Sequence, residues 1–388
     1  MQIRKTLVAA AVTAVAATGV GATTGTAAAA PAPDSAVATY IVTLQPGTVP
    51  GPAAERAARL GGSVRHVYAA ALNGYAVQLP TRVADRLAAL PGVLSVERDA
   101  PISLAATQGS ATWGLDRLDQ RALPLTSSYS YTATGAGVTA YVIDTGIRLD
   151  HADFGGRAVT GYDAVDGGSA DDCNGHGTHV AGTVGGTEHG VAKGVSLVAV
   201  RVLDCAGSGT NAGVIAGIDW VTAHHAPGVP AVANMSLGGG ASAAVDSAVQ
   251  RSIADGVTYA VAAGNGNSLG VPQNACNSSP ARVPAALTVG ATDRTDKAAS
   301  FSNYGSCVDL FAPGVSITST WHTDTTARNS ISGTSMATPH VAGVAALHLQ
   351  GAPAATPAAV ATAIRTATTK NAVPTKKTAN NDLLFSAY

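Results

Sequence analysis

Short apolar segments with strand character alternate with helical segments between residues 138 and 349, and this alternation constrains the fold more than any other feature. Strands are predicted over residues 138–143, 197–203, 232–236, 257–262 and 286–291. Helices are predicted from His176 onward and over residues 211–223, 247–255 and 336–349. Strands that alternate with helices form a parallel sheet covered by helices on both faces. We therefore predict an α/β domain in the chain after Ala106.

A smaller α+β domain is predicted ahead of it, over residues 39–99. Strands at 39–44, 64–70, 75–79 and 93–97 and helices at 53–60 and 81–90 give the order β-α-β-β-α-β, the split βαβ or ferredoxin-like arrangement. Asn73-Gly74 predicts a tight hairpin between the second and third strands, and Thr81 is expected to cap the second helix. About 60 residues is small for an independent core, so we expect this domain to depend on a partner surface.

The N-terminal segment indicates export. Arg4 and Lys5 precede an uncharged stretch whose apolar part, residues 7–20, is too short and too weak for a membrane span. Small residues at 27–30 supply a cleavage site, so residues 1–29 are predicted to be a signal peptide cut after Ala29. No later stretch is long and apolar enough to cross a bilayer, so we expect a mature protein that is secreted and has no membrane anchor.

The composition excludes two broad classes of protein. Hydrophobic residues make up 46% of the chain and charged residues 12%, which excludes an intrinsically disordered protein. The net charge of −1 argues against a nucleic-acid partner, because such proteins carry a basic surface.

The chain has four cysteines, at positions 173, 205, 276 and 307. A secreted protein meets an oxidising environment, so disulfides are expected, and four cysteines allow three pairings. Pairing in sequence order would close two local loops. Zinc ligation is the alternative, and it is disfavoured because the chain has no Cys-x-x-Cys pair.

Three polar residues, each within a glycine-rich frame, form the candidate catalytic set. Asp144 follows an apolar strand in Val-Ile-Asp-Thr-Gly, His176 begins a helix in Asn-Gly-His-Gly-Thr-His, and Ser335 begins another in Ser-Gly-Thr-Ser-Met-Ala. A serine hydroxyl needs an imidazole to take its proton, and the imidazole needs a carboxylate to fix its tautomer and stabilise its cation. The three residue types therefore predict nucleophilic hydrolysis at the carboxyl edge of the sheet.

Each of these signals has a plainer interpretation by itself. Asp-Thr-Gly also occurs in aspartic proteases, and the histidine and serine frames could be ordinary helix caps. A lipase-type esterase would need Gly-x-Ser-x-Gly around the nucleophile and the order Ser, Asp, His, and Ser335 fits neither. An inactive binding protein on the same fold would be expected to lack one of the catalytic groups, and none is missing.

The order Asp, His, Ser and the surrounding motifs resemble the subtilisin-like serine proteases of the proteinase K branch, most closely its aqualysin-like members. The resemblance covers nearly all of the chain after Ala106. It is carried by Trp-Gly-Leu-Asp-Arg at 113–117, Asp-Cys-Asn-Gly-His-Gly-Thr-His-Val-Ala-Gly-Thr at 172–183, Ala-Val-Arg-Val-Leu-Asp-Cys at 199–205, Ala-Asn-Met-Ser-Leu-Gly-Gly-Gly at 233–240, Ala-Ala-Gly-Asn at 262–265 and Ser-Gly-Thr-Ser-Met-Ala-Thr-Pro-His at 332–340.

The resemblance implies further site residues. Asn265 would be the oxyanion-hole asparagine, acting with the Ser335 backbone N–H; a turn asparagine with positive φ is the plainer alternative. Two segments would form the edges between which an extended substrate inserts, namely Gly207, Ser208 and Gly209 on one side and Ser236, Leu237 and Gly238 on the other. The implied disulfides are Cys173–Cys205 and Cys276–Cys307.

The resemblance also implies a domain plan. Residues 30–105 would be an inhibitory propeptide, folded over about 39–104, and residues 106–388 the peptidase domain. Cleavage is expected between Ala105 and Ala106, with residues 102–105 lying in the cleft as a substrate strand. The polar segment 107–112 is predicted to be a linker. Expected partners are protein and peptide substrates and the chain's own propeptide, and the mature enzyme is expected to be a monomer.

Calcium is the one cofactor that the resemblance implies, with a structural role and none in catalysis. The carbonyl groups of Pro284 and Ala286 with the carboxylate of Asp309 would form one site, and ordinary surface carboxylates are the alternative. Asp116, Asp119 and Gln120 would form a second site, for which ordinary surface carboxylates are again the alternative. Such oxygen donors suit calcium, which takes six to eight of them.

The small-residue frame around the predicted oxyanion asparagine, Ala262-Ala263-Gly264, and the pair Leu237-Gly238 offer no fixed charge. We therefore expect broad specificity with a preference for apolar or aromatic P1 residues.

Overall fold

The structure is a computed structural model that describes residues 37–99, 105–375 and 377–388. The predicted signal peptide and residues 102–104 of the expected cleft strand lie outside the described residues. The chain divides into two compact units, Met1–Pro101 and Ile102–Tyr388. No helix of the described ranges is long and apolar enough to span a membrane.

The first unit is a four-stranded antiparallel sheet with two helices, in the strand order β2-β3-β1-β4. Its elements are β1 (Val37–Leu44), α1 (Pro50–Ala58), β2 (Ser63–Tyr68), β3 (Gly74–Pro80), α2 (Asp85–Ala88) and β4 (Val93–Arg98). This confirms the predicted ferredoxin-like order. Its core includes Val42, Tyr75, Val77 and Leu87, all fully buried.

Two local predictions in this unit were wrong. Gly74 is already a paired residue of β3, opposite Thr43 and Tyr68, so the hairpin connection is residues 69–73 rather than a two-residue turn. The glycine is needed there for another reason: a Cβ on it would lie 2.1 Å from the Val42 carbonyl oxygen. Thr81 is the first residue of a 3-10 turn, and Pro80 occupies the cap position.

The second unit has a seven-stranded parallel sheet in the order β15-β14-β12-β10-β7-β9-β8. These strands are β7 (Thr139–Asp144), β8 (Ala158–Asp163), β9 (Ser196–Arg201), β10 (Ala231–Met235), β12 (Thr258–Ala262), β14 (Leu287–Thr292) and β15 (Leu310–Pro313). Short two-stranded sheets are formed by β5 (Ala106–Gly109) with β6 (Ser128–Tyr131), β11 (Gly239–Gly240) with β13 (Ser278–Ser279), and β16 (Ile317–Thr320) with β17 (Arg328–Ile331).

Helices cover both faces of this sheet, as predicted. They are α3 (Trp113–Asp116), α4 (His176–Gly185), α5 (Asn211–His224), α6 (Ala243–Asp255), α7 (Thr334–Gly351) and α8 (Pro357–Ala367). In β7, Ala140 and Val142 join the core formed with α4, α7 and α8, whereas Tyr141 and Ile143 join the core formed with α5 and α6. Side chains alternate between the two faces of a strand, and both faces of β7 are buried in an apolar core. The sequence of β7 is therefore a continuous apolar run.

The sequence interpretation missed both edge strands of this sheet, β8 and β15, and two helices, α3 and α8. β8 contains Gly161 and an exposed Val159, so it lacks a buried strand's apolar run, and β15 has only four residues. The linker prediction over residues 107–112 was also wrong at its start, because residues 106–109 form β5. This strand is largely exposed and pairs with β6 through the backbone, so it leaves no apolar pattern to detect.

Candidate active site

Asp144 and His176 are brought together at the carboxyl edge of the sheet. Asp144 is the last residue of β7 and is fully buried, and His176 is the first residue of α4. The His176 Nδ1 lies 2.7 Å from Asp144 Oδ1, which also accepts a hydrogen bond from the Thr145 backbone N–H. The Nδ1 proton is therefore donated to the carboxylate, and Nε2 is the basic nitrogen.

The helix that carries His176 approaches the loop after β7 closely, which explains the glycine beside the histidine. A Cβ on Gly177 would lie 2.2 Å from the Gly146 carbonyl oxygen. The Gly177 backbone N–H instead donates to Thr145 Oγ1 at 2.9 Å. The His-Gly-Thr-His motif thus keeps the imidazole within reach of the strand-end carboxylate.

A second carboxylate, Asp172, holds this loop and was missed by the sequence interpretation. It accepts five hydrogen bonds at 2.6–2.9 Å. The donors are the backbone N–H groups of Asn174, Gly175 and Thr178 and the hydroxyls of Thr145 and Thr178. Desolvation lowers the pKa of His176, but the charges of Asp144 and Asp172 outweigh it, so this pKa lies above its ordinary value of 6.5.

Ser335 is the second residue of α7, in the first turn of that helix. Its hydroxyl donates to the Ser236 carbonyl oxygen at 2.9 Å, and the Ser236 hydroxyl donates in turn to the Ser335 carbonyl oxygen at 2.8 Å. Within the described part of the chain, no hydrogen bond joins Ser335 to His176. Without substrate, Ser335 is therefore hydrogen-bonded to Ser236, the residue that follows β10. Catalytic hydrogen bonds that are long or absent in a free enzyme commonly form only when substrate binds.

Asn265 follows β12 and is held by Thr334. Its Oδ1 accepts hydrogen bonds from the Thr334 backbone N–H at 2.8 Å and from the Thr334 hydroxyl at 2.9 Å. These two bonds identify the atom that faces Thr334 as the amide oxygen, so Nδ2 points away from Thr334. Among the described residues, Nδ2 donates no hydrogen bond. Asn265 does not have positive φ, whereas the flanking Gly264 and Gly266 do, at +97° and +83°. The alternative of a positive-φ turn asparagine is therefore not supported.

The two expected substrate edges line one groove. Gly207, Ser208 and Gly209 face Ser236, Leu237 and Gly238 across a cavity of about 550 Å³ that His176 also borders. A neighbouring cavity of about 360 Å³ is lined by Ser236–Gly240, residues 262–266 and Ser335. No charged side chain is among the described residues that line this second cavity.

The four cysteines are joined in sequence order, Cys173 to Cys205 and Cys276 to Cys307, with Cα separations of 5.0 and 5.4 Å. The first disulfide connects the loop before His176 to the loop that carries residues 207–209. Asn174 Nδ2 also donates to the Cys205 carbonyl oxygen, at 3.0 Å. The catalytic loop and one substrate edge are therefore linked covalently.

The structure does not favour the first expected calcium site, at Pro284, Ala286 and Asp309. Asp309 Oδ1 accepts from Arg365 Nη1 at 3.0 Å, and Oδ2 accepts from the Thr288 backbone N–H at 2.8 Å. Burial raises the pKa of Asp309, and these two donors offset only part of that effect. A guanidinium group already occupies the place of a cation, so calcium would have to displace it.

The second expected site fits an oxygen-binding cation better. Asp119 Oδ1 and Gln120 Oε1 are both buried without a hydrogen-bond partner among the described residues. Burial raises the pKa of Asp119, and the nearby charge of Asp116 adds to the increase. Asp116 itself is buried, and its two oxygens accept from Thr126 and Ser127. Oxygens of this kind bind calcium, which takes six to eight of them, and these two have no other partner. Among the described residues, no group of three or more His, Cys, Asp or Glu side chains could hold a metal ion.

Three supporting residues at this edge were not singled out from the sequence: Asp172, Thr334 and Asn303, whose side chain is hydrogen-bonded to the backbone of Ala263 and Gly266. Asp172 and Thr334 lie inside the quoted motifs, next to residues that were assigned, so their position was a usable signal. Asn303 has no comparable signal, because it lies 38 residues beyond Asn265 in the sequence.

Comparison with known proteins agrees with this geometry. A model of the Subtilase family matches residues 135–384, and a model of the peptidase inhibitor I9 family matches residues 39–105. The chain is 62% identical over 314 residues to an extracellular serine proteinase of Thermus sp. (strain Rt41A), a match that covers 81% of this chain and 75% of the relative. It is 52% identical over 330 residues to alkaline serine exoprotease A of Vibrio alginolyticus, covering 83% of this chain and 60% of the relative.

A solved structure of a cold-adapted subtilisin-like serine proteinase aligns with a TM-score of 0.69 at 55% identity, over 72% of this chain and 100% of that one. The Subtilase match spans the parallel sheet and every candidate catalytic residue, and the I9 match spans the ferredoxin-like unit. The chain therefore belongs to the Subtilase family and is a subtilisin-like serine peptidase preceded by an I9 inhibitor domain.

Proposed function

We propose that the chain is the zymogen of a secreted serine endopeptidase in which Asp144, His176 and Ser335 form the catalytic triad. The observation that carries the proposal is the 2.7 Å hydrogen bond from His176 Nδ1 to the buried Asp144, which leaves Nε2 basic. The groove beside it contains Ser236, whose carbonyl oxygen accepts the Ser335 hydroxyl hydrogen bond.

In the proposed reaction, substrate binding releases Ser335 from the Ser236 carbonyl, and its hydroxyl then hydrogen-bonds to His176 Nε2. The Ser335 oxygen attacks the peptide carbonyl carbon as Nε2 takes its proton, and Asp144 stabilises the imidazolium that forms. His176 then gives that proton to the leaving amine, which leaves an acyl-enzyme on Ser335. Water deacylates the serine by the same proton transfers in reverse.

The oxyanion of each tetrahedral intermediate would be bound by Asn265 Nδ2 and the Ser335 backbone N–H. Two features support this assignment: Thr334 fixes Oδ1 and leaves Nδ2 unpaired, and backbone N–H groups in the first turn of a helix lack partners within the helix. Donors placed in advance for the developing charge are worth about 10²–10³ in rate when one is removed, a range measured on a subtilisin.

The substrate would lie as an extended strand between residues 207–209 and residues 236–238, with its P1 side chain in the 360 Å³ cavity. Because the described lining of that cavity is small and uncharged, a basic P1 side chain would be desolvated there without a partner. We infer a preference for apolar or aromatic P1 residues.

The proposed domain plan has a signal peptide at 1–29, an inhibitory propeptide at 30–105 and a peptidase domain at 106–388, with cleavage between Ala105 and Ala106. The I9 match supports the propeptide, and the relatives named extracellular or exoprotease support secretion. The peptidase is proposed to act as a monomer on proteins and peptides.

Calcium is proposed at Asp119 and Gln120, with Asp116 nearby. The metal would satisfy two buried oxygens and stabilise the folded state, without contact with the reacting groups.

The test of the proposed function is Ser335→Ala in the full chain, expressed in a host without proteases of its own. We expect no casein hydrolysis, no labelling by a serine-directed acylating inhibitor, and accumulation at the size of the unprocessed chain. Ser330→Ala, an exposed serine on β17, is the control and should process and hydrolyse normally. Normal maturation of Ser335→Ala would exclude self-cleavage, and retained hydrolysis would exclude the proposed nucleophile.

A further inference from the structure

The proposed oxyanion asparagine lies on a loop that needs external support. Asn265 is exposed, and Gly264 and Gly266 on either side of it have φ of +97° and +83°. Glycine gives the backbone more conformational freedom than any other residue, and here a glycine lies on each side of Asn265. A loop of this kind does not hold a side-chain amide in one place by itself. Thr334 fixes the Oδ1 end of the side chain, but it does not hold the backbone on both sides of Asn265.

Asn303 supplies that backbone support. It is 4% exposed, and its backbone N–H and side-chain amide together make four hydrogen bonds. Its backbone N–H donates to the Gly264 carbonyl oxygen at 2.9 Å, its Nδ2 donates to the Ala263 carbonyl oxygen at 2.8 Å, and its Oδ1 accepts from the Gly266 backbone N–H at 2.9 Å. The fourth bond joins Oδ1 to the Gln273 backbone N–H at 2.8 Å.

Two of these bonds fall on Gly264 and Gly266, the residues immediately before and after Asn265, a third falls on Ala263, and none falls on Asn265 itself. The contact is close enough to restrict the loop sequence, because a Cβ on Gly264 would lie 2.5 Å from Asn303 Nδ2. Only an amide side chain donates one hydrogen bond and accepts two in this geometry, so aspartate and leucine, which have a similar size, cannot reproduce the set.

We propose that Asn303 is a positioning residue for the oxyanion hole: it clamps residues 263–266 so that Asn265 Nδ2 points to the place where the oxyanion develops. This inference rests on the proposed role of Asn265. Asn303 also borders the 360 Å³ cavity, so a direct role in substrate binding is the competing explanation. The side-chain polar atoms of Asn303 are all used within the protein, which favours action through Asn265.

The experiment is a double-mutant cycle on the mature enzyme with Asn303→Ala, Asn265→Ala and the two combined. Values of kcat and KM are measured on a chromogenic peptide anilide with phenylalanine at P1, and active sites are counted by titration with an acylating reagent. Asn265→Ala is expected to lower kcat by about 10²–10³. Asn303→Ala is expected to lower kcat by about 10- to 100-fold with KM changed less than about twofold. In the Asn265→Ala background it should change kcat by less than about twofold, because the group it positions is gone.

Two further variants keep the result interpretable. Asn303→Gln keeps an uncharged amide and displaces it by one methylene, so it runs in the same cycle if the alanine variant yields too little folded enzyme. Asn274→Ala is the matched control, because Asn274 Oδ1 also accepts a hydrogen bond from a backbone N–H, that of Cys276, and no hydrogen bond of the described residues joins the Asn274 side chain to residues 263–266. We expect Asn274→Ala to lower the melting temperature with kcat within about twofold of the parent enzyme.

An equal loss of kcat from the Asn303 change in both backgrounds would overturn the inference and leave the role of Asn265 intact. A rise in KM with kcat unchanged would also overturn it and would assign Asn303 to substrate binding. An Asn265→Ala enzyme with full kcat would refute the oxyanion role and the inference together.

Discussion

Replacement of Asp119 by Asn is expected to abolish the calcium dependence of stability. The change keeps the shape of the side chain and removes the charge beside the unpaired Gln120 Oε1. Calcium at a hundredfold excess over its dissociation constant stabilises a folded state by about 2.7 kcal/mol. In a domain somewhat larger than 250 residues, 1 kcal/mol moves the melting temperature by about 2 °C, so chelation should lower the melting temperature of the parent enzyme by roughly 5 °C.

The assay is calorimetric unfolding of mature enzyme inactivated with a serine-directed acylating reagent, because autolysis would otherwise obscure the transition. Each protein is measured with calcium and with a chelator. Asp119→Asn should melt at one temperature under both conditions. Initial turnover at low temperature should be the same with and without chelator, since the metal is not proposed to contact the reacting groups.

Asp309→Asn is the comparison that makes this test specific. Asp309 pairs with Arg365, whose side chain is 41% exposed, so solvent screening limits the loss on breaking the pair to about 1 kcal/mol or less. The Asp309 variant should therefore melt slightly lower and keep the full calcium effect. A calcium effect that survives in Asp119→Asn and disappears in Asp309→Asn would refute the assignment and restore the site first expected from the sequence. No effect of chelation on the parent enzyme would remove the metal altogether.

Two further outcomes are expected. The acidic limb of kcat/KM should have its midpoint above pH 6.5, because His176 must be neutral to accept the Ser335 proton and its pKa is raised. Asp172→Asn should move that acidic limb to lower pH, because the Asp172 carboxylate favours the charged form of His176 and its removal favours the neutral ring. The pH dependence of kcat/KM, measured for the parent enzyme and the variant, checks both expectations. A limb that moved to higher pH would contradict the assigned effect of Asp172. A peptide-library profile should be dominated by apolar and aromatic P1 residues, and a preference for arginine or lysine would rule out the proposed pocket.

The central strands and the proposed catalytic residues could be derived from the sequence, because physical chemistry restricts both to few residue types. A strand buried on both faces must be apolar, as β7, β10 and β12 are, and a serine nucleophile needs a histidine and a carboxylate. β8 was not predicted because most of its side chains are not buried and it lacks a continuous apolar run, and β15 was not predicted because it has only four residues. β5 was not predicted because it is held by backbone hydrogen bonds to β6, and backbone pairing requires no apolar pattern of side chains.

The calcium sites illustrate a different limit. The sequence contains both sets of oxygen donors, and nothing in it ranks one above the other. The structure separates them through partners that are distant in sequence: Arg365 reaches Asp309 across 56 positions, whereas Asp119 Oδ1 and Gln120 Oε1 have no partner among the described residues. Oxygen donors for a metal can thus be found in the sequence. Whether another side chain already neutralises their charge depends on the fold.

The same distinction separates the reacting groups from the residues that hold them. His176 and Asn265 carry chemistry that only their side chains supply, so a motif reveals them. Asp172 accepts three hydrogen bonds from backbone N–H groups and two from hydroxyls next to His176, and four hydrogen bonds join Asn303 to backbone groups of residues 263–266 and Gln273. Many other polar residues of the chain also form hydrogen bonds with a loop. Only the position of the loop, next to His176 or Asn265, distinguishes Asp172 and Asn303 from them. We therefore expect substitution of Asp172 or Asn303 to change kcat without removing a reacting atom.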